Sequence, residues 1–181
     1  MYEKKETGIA GCFELQPIVR TDSRGQFVKT FHSEFFEENS FETNFPEQYY
    51  SVSRKGVLRG MHFQLPPHGH SKLVYCTAGT ILDVALDLRV GSETYAQHIS
   101  LEISADKANM VYLPEGLAHG FYSLTEATVA YNVGTVYSPE SDAGILWSSI
   151  GMDWPDSNPD LSERDSTFSA LNDFQSPFNI S

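Results

Sequence analysis

"GVLRGMHFQLPPHGHSKLVYCTAGTILDVALDLR", residues 56–89, decides how this chain folds. Three apolar runs of strand length stand in it, each ended by turn residues: Pro66 and Pro67, then Gly79, then the "RVGSET" that follows. None is long enough, or periodic enough at 3.6 residues, to be an amphipathic helix. Outward from this stretch the pattern repeats, with "YYSVSR" before it and "AQHISLEIS", "NMVYLP", "HGFYSL" and "TVAYNVGTVY" after it, joined by short turns such as "PEGLA". Many short, evenly spaced strands close on themselves to remove exposed edges, so the prediction is an all-β jelly roll with a core over about 48–138.

The flanks are read in the same terms. "FELQPIVR" and "QFVKTF" on either side of "TDSRG" predict an N-terminal hairpin over about 13–31, and "SEFFEENSF" a short helix capped by Ser33. After Tyr137 the chain turns rich in Pro, Ser, Asp and Trp, which predicts a wrapping tail over 139–181 with one helix near 162–174. With 181 residues and 40 % hydrophobic content, one domain is expected. A net charge of −12 opposes a general grip on nucleic acid or an acidic membrane. Six of the twelve cations nevertheless lie between Arg24 and Lys72, which leaves room for a local anion site. Cys12 and Cys76 fit no metal or redox spacing and are read as reduced apolar filler; with no signal-like or membrane-spanning apolar stretch, a cytoplasmic protein is expected.

Residues two apart share a strand face. Lys72 therefore points with Val74 and Cys76 into the barrel, where an ammonium is costly without a partner or ligand. Along "TVAYNVGTVY" the same rule turns Tyr131 and Tyr137 toward one cavity. His62 and Arg59 have opposite parity and serve one site only if the strand is kinked, which Gly60 allows. His119 is either a satisfied core histidine or a site residue.

Two chemistries fit these residues. His68, His70 and His119 approach the His-x-His plus late-His pattern of metal-binding cupins, but no carboxylate follows in "SKLVYCTAGT", and only Asp83 could substitute. The other is proton transfer beside a carbonyl, which needs a base near neutrality, a donor for the enolate oxygen and an acid on the far face: His62, Lys72 and Tyr131 are of those types. Asp83 or Asp165 could orient the imidazole. Asp165 also completes the pattern Ser162-Glu163-Arg164-Asp165 of a capping box, so it has a purely structural reading as well.

The motifs "KGVLRGMHFQ", "KLVYC", "LDVALDLRVGSETYAQ", "LPEGLAHGF", "AYNVGTVYSPESDAGILW", "IGMDWP" and "LSERD" resemble, in order and spacing, the dTDP-4-dehydrorhamnose 3,5-epimerase family. The resemblance implies a cupin-type jelly roll with a few peripheral helices, working without metal or other cofactor as an isomerase, usually as a homodimer, on a dTDP-linked 4-keto-6-deoxy sugar. It implies His62 as base with Asp165 as its dyad carboxylate, Lys72 as holder of the enolate oxygen and Tyr131 as the acid. Arg24, Phe27, Gln48, Arg59, His119, Tyr137, Asp142 and Arg164 match positions that contact the substrate, with Tyr137 stacking on the pyrimidine and Arg24 reaching a neighbouring subunit's site. His68 and His70 become loop residues near the entrance. Tyr49, Lys29, Tyr75 and Asn132 depart from the family pattern around the substrate, which bears on the nucleotide and on whether both C3 and C5 are inverted. A C3-only epimerase or ketoisomerase, a metal-dependent oxygenase and a non-catalytic sugar-binding module are the competing expectations.

Overall fold

The computed structural model describes residues 2–180. Among them run thirteen strands: β1 (Tyr2–Glu6), β2 (Phe13–Pro17), β3 (Val19–Asp22), β4 (Gly25–Val28), β5 (Glu47–Ser53), β6 (Leu58–Gln64), β7 (Lys72–Ala78), β8 (Thr80–Asp87), β9 (His98–Ser104), β10 (Met110–Leu113), β11 (Leu117–Ser123), β12 (Ala127–Val133) and β13 (Asp142–Gly144). Two short helices, α1 (Ser33–Glu38) and α2 (Glu163–Ser166), lie outside the sheets. The strands form a six-stranded sheet in the order β1-β2-β10-β7-β12-β5 and a five-stranded sheet in the order β13-β6-β11-β8-β9, with β3 and β4 paired apart from both. Every strand pair is antiparallel, as the jelly-roll expectation requires.

Three layers of apolar side chains hold the sheets. Between them lie Val74, Ile81, Ala85, Ile103, Phe121 and Val129. The outer face of the five-stranded sheet, with Met61, Phe63, Val84 and Leu86, is covered by Ile145, Ile150 and Phe178 of the tail. The outer face of the six-stranded sheet, with Leu15, Leu73 and Met110, is covered by Phe36 and Phe41 from and beside α1. This explains why "ILDVALDL" shows no polar alternation: both faces of β8 are buried, so both parities are apolar. The turn after β8 is tied to Asp87, whose carboxylate accepts from Arg89, Ser92 and Thr94.

Four local expectations are corrected. The run 13–20 is broken after Pro17: Phe13–Pro17 pairs with β1 and β10, and the hairpin is the shorter pair β3 and β4. α1 begins at Ser33 with His32 at the cap position and no side-chain cap bond. The tail helix is one turn, capped by Ser162 Oγ, rather than a helix to residue 174. β12 ends at Val133, so the strand expected through Tyr137 stops short, although Val133, Thr135 and Tyr137 still line one cavity.

Candidate active site

The site is built where β6 meets β11. The ladder slips between His119 and Phe121, opposite the Arg59-Gly60-Met61-His62 segment, which is the bulge that Gly60 allowed. Two glycines meet there: a Cβ on Gly60 would stand 2.6 Å from the Gly120 Cα. At this bulge the Gly60 N–H donates to Asp165 Oδ2 at 3.1 Å, while Asp165 Oδ1 stands 2.8 Å from His62 Nε2. The Asp165 N–H in turn donates to Ser162 Oγ at 3.0 Å, so one residue both closes the cap of α2 and holds an imidazole.

Burial pulls the His62 pKa below its ordinary value, and the Asp165 carboxylate opposes that pull only in part. Burial alone would raise the Asp165 pKa, but the bonds from His62 and Gly60 outweigh it and leave the carboxyl below the usual range. A neutral ring against an ionised carboxylate must donate from Nε2, which leaves Nδ1 with the lone pair. Lys72 Nζ donates to the His62 carbonyl at 3.1 Å. The lysine is 6 % exposed. Burial lowers its pKa to about 8, with Asp83 and Asp142 partly offsetting the effect. No carboxylate stands within 4.0 Å of Nζ among the described residues, so this ammonium has hydrogens to offer a ligand.

These groups open on a cleft of about 260 Å³ lined by His62, Lys72, His70, Tyr49, Tyr137 and Arg164 among others. At its mouth Arg164 Nη2 donates to Asp142 Oδ2 at 2.6 Å, and the Tyr137 hydroxyl donates to the same oxygen at 3.3 Å. Tyr137, 56 % exposed, offers a ring face beside the Arg164 cation. A neutral base, a half-compensated ammonium and a basic, aromatic rim suit deprotonation of a carbon acid that carries a flat base and an anionic linker.

The comparisons with known proteins agree. The family model described as dTDP-4-dehydrorhamnose 3,5-epimerase matches residues 6–173. The chain belongs to that family. The dTDP-4-dehydrorhamnose 3,5-epimerase of Methanothermobacter thermautotrophicus is 41 % identical over 92 % of this chain and 92 % of the relative. A dTDP-4-dehydrorhamnose 3-epimerase of Streptomyces niveus is 38 % identical, covering 87 % and 78 %. Among solved structures, the dTDP-6-deoxy-D-glucose-3,5-epimerase of Legionella pneumophila in complex with dTDP-4-keto-L-rhamnose superposes with a TM-score of 0.92 at 33 % identity, covering 97 % of this chain and 95 % of that one.

Against the family expectation the structure brings together His62, Asp165, Lys72, Tyr137, Asp142 and Arg164. The two carboxylate candidates are divided: Asp165 takes His62, and Asp83 takes His119, with Nε2 to Oδ2 at 2.7 Å in the buried interior. Tyr131 is set back from the cleft. Its ring lies under Tyr49, its hydroxyl is 3.4 Å from Ser51 Oγ, and burial raises its pKa, so the phenol keeps its proton. Arg59 reaches Ser53 Oγ at 3.0 Å and lines a separate depression that Asp165 also lines. Gln48 alternates to the face of β5 opposite Tyr49 and is exposed. Arg24 and Phe27 sit on the β3 and β4 hairpin in a separate depression, with Arg24 paired to Asp22 at 2.6 Å.

His68, His70 and His119 are not gathered into a cage, and no group of three His, Cys, Asp or Glu residues among those described could hold a metal ion. His68 Nδ1 bonds to Ser141 Oγ at 2.9 Å. His70, expected at the entrance, is instead part of the cleft wall. Sequence reasoning also missed Glu47, Gln64 and Thr135 on that wall, and placed Tyr49 near the substrate without seeing that its ring covers Tyr131.

Proposed function

We propose that the chain epimerises a dTDP-linked 4-keto-6-deoxy sugar at C3 and C5. The observation that carries this is the His62 and Asp165 pair, 2.8 Å apart at a cleft that also holds the Lys72 ammonium. His62 Nδ1 takes the proton from the carbon beside the C4 ketone; the C–H electron pair forms the enolate double bond, and the carbonyl electrons move to an oxygen held by Lys72. Tyr131, with Tyr49 swung off its face, returns a proton from the opposite side, and solvent restores both groups. The step is then repeated at the second carbon. Tyr137 stacks on the pyrimidine, and Arg164, with Asp142, meets the diphosphate.

A specific observation favours a second reading, inversion at C3 alone. The 38 % identical relative from Streptomyces niveus is named a dTDP-4-dehydrorhamnose 3-epimerase. Incubation with dTDP-4-keto-6-deoxyglucose in deuterated water distinguishes the two: label at C3 and C5 with inversion at both supports the first, label and inversion at C3 alone supports the second, and no label refutes both.

We further infer a homodimer working in the cytoplasm. Arg24 and Phe27 lie outside their own chain's cleft, which supports their serving a second copy's site, and β5 carries Tyr50 and Val52 at 71 % and 57 % exposure on a sheet edge. Light scattering should give twice the chain mass; a monomer active with Arg24→Ala would refute the exchange.

A further inference from the structure

The atom that points beyond this assignment is Nε2 of His70. It is buried and has no hydrogen-bond partner among the described residues, although its side chain lines the cleft. A buried polar atom left unpaired costs about 1–3 kcal/mol, so a protein that keeps one at the wall of a substrate cleft has a use for it.

The other edge of the ring is fully engaged. Ser138 N–H donates to Gln64 Oε1 at 2.6 Å, which settles the amide so that Nε2 of Gln64 is the donor end. That nitrogen donates to the His68 carbonyl at 2.9 Å and stands 3.1 Å from His70 Nδ1. Thr135 Oγ1 donates to the same carbonyl at 2.9 Å and is also 3.1 Å from His70 Nδ1. The ring is clamped at Nδ1 by two side chains, each held from elsewhere, and only Nε2 is spare. Burial, reinforced by the Lys72 charge, lowers the His70 pKa to about 3, so the ring stays neutral.

Resting on the reading above, we propose that His70 Nε2 binds a hydroxyl of the sugar and sets the sugar's position over His62 and Lys72. The clamp allows either tautomer: Gln64 can donate to Nδ1, leaving Nε2–H, or Nδ1–H can donate to Thr135, leaving Nε2 as acceptor. A hydroxyl satisfies both, because it donates and accepts. A diphosphate oxygen only accepts and would draw the ring toward the imidazolium, which its burial beside Lys72 opposes.

The test uses two amides that divide the ring's functions. His70→Asn keeps a polar atom where Nδ1 stands, so Gln64 and Thr135 retain a partner, and removes Nε2. His70→Gln places its amide where Nε2 stands. For His70→Asn, KM for dTDP-4-keto-6-deoxyglucose should rise about five- to tenfold, the worth of one uncharged hydrogen bond, with the Kd of dTDP alone within twofold of wild type. His70→Gln should recover most of the loss in KM. The proposal is overturned if His70→Asn binds and turns over the sugar like wild type, or if dTDP affinity falls as far as sugar affinity does. Should the variant not fold, the ¹⁵N shift of His70 Nε2 in wild type decides: dTDP-glucose should move it and dTDP should not, and equal shifts overturn the proposal. That measurement needs no turnover, so a wild-type protein without deuterium exchange refutes the epimerase while leaving the His70 contact separately readable.

Discussion

The ring of Tyr49 lies nearly flat on that of Tyr131, centroids 4.8 Å apart and planes 22° from parallel, and the two are register partners across β5 and β12. Tyr49 lines the cleft and Tyr131 does not, so under the proposed mechanism the inner phenol reaches the sugar only when the outer ring moves. Tyr131→Phe should keep deuterium wash-in, because His62 still removes the proton, while net inversion falls about 100- to 10,000-fold, the usual worth of a positioned acid. Tyr49→Ala should raise net inversion relative to deuterium wash-in by uncovering Tyr131. Product NMR reads both, and an unchanged ratio of inversion to wash-in in Tyr49→Ala takes Tyr49 out of control of the phenol.

On the proposed mechanism, Asp165 fixes which nitrogen of His62 is the base. An amide in its place can still accept, but it no longer holds the charge that stabilises an imidazolium, and its NH₂ end can select the wrong tautomer. Asp165→Asn should lower kcat about 100- to 10,000-fold with little change in the Kd of dTDP, which the proposed function gives to the rim residues. A variant within fivefold of wild-type kcat would mean that the 2.8 Å bond is only a helix-docking contact.

The pH dependence follows from the two displaced groups. On the proposed mechanism His62 must be neutral, and burial sets its pKa below 6.5, so the acid limb of kcat/KM should fall below that value. Lys72 must be charged, so the alkaline limb should fall near 8. Lysine has a lower pKa folded than unfolded, so below about 8 its burial is a cost, and stability gained from losing the proton appears as pH rises from about 8 toward 10.5. Lys72→Met should therefore be inactive yet melt higher at pH 7, by about 2–4 °C for each kcal/mol recovered. A lower melting temperature would show that the Nζ bond to the His62 carbonyl outweighs the burial of charge.

What was legible in the sequence follows a physical division. Strand parity is local, so Lys72 facing inward with Val74 and Cys76, and the kink at Gly60, are visible in the residues alone. Parity also sets Val133, Thr135 and Tyr137 on one cleft wall, although the regular strand stops at Val133. The choice of Asp165 over Asp83 for His62 depends on a segment 103 residues away folding back onto β6, which no spacing reveals. His70 was undervalued because a Pro- and Gly-rich loop suggests exposure, whereas the clamp by Gln64 and Thr135 is a tertiary contact.

The packing of Gly60 against Gly120 gives the sharpest test of how the fold positions the chemistry. An added Cβ on Gly60 meets backbone, the Gly120 Cα at 2.6 Å, and backbone cannot rotate away as a side-chain tip can. The φ of +150° at Gly60 adds strain for any other residue. On Gly120 the Cβ would meet Met61 Sδ at 2.7 Å, which can move, and the Arg59 carbonyl at 2.9 Å, which cannot. Relieving either clash means parting β6 from β11, and with it the Gly60 N–H from Asp165 Oδ2. Gly60→Ala should lose about 3 kcal/mol or more of stability, with Gly120→Ala somewhat milder. Gly25 is the control: its φ is +123°, but nothing lies within 4 Å of its added Cβ, so Gly25→Ala should cost only the conformational strain, about 1–2 kcal/mol. In whatever fraction of Gly60→Ala folds, kcat should fall because Asp165 no longer has the N–H that fixes its orientation toward His62. Urea melts and single-turnover rates on the three variants check this order, and a Gly60→Ala protein as stable as Gly25→Ala with wild-type kcat would show that the bulge does not set the His62 and Asp165 geometry.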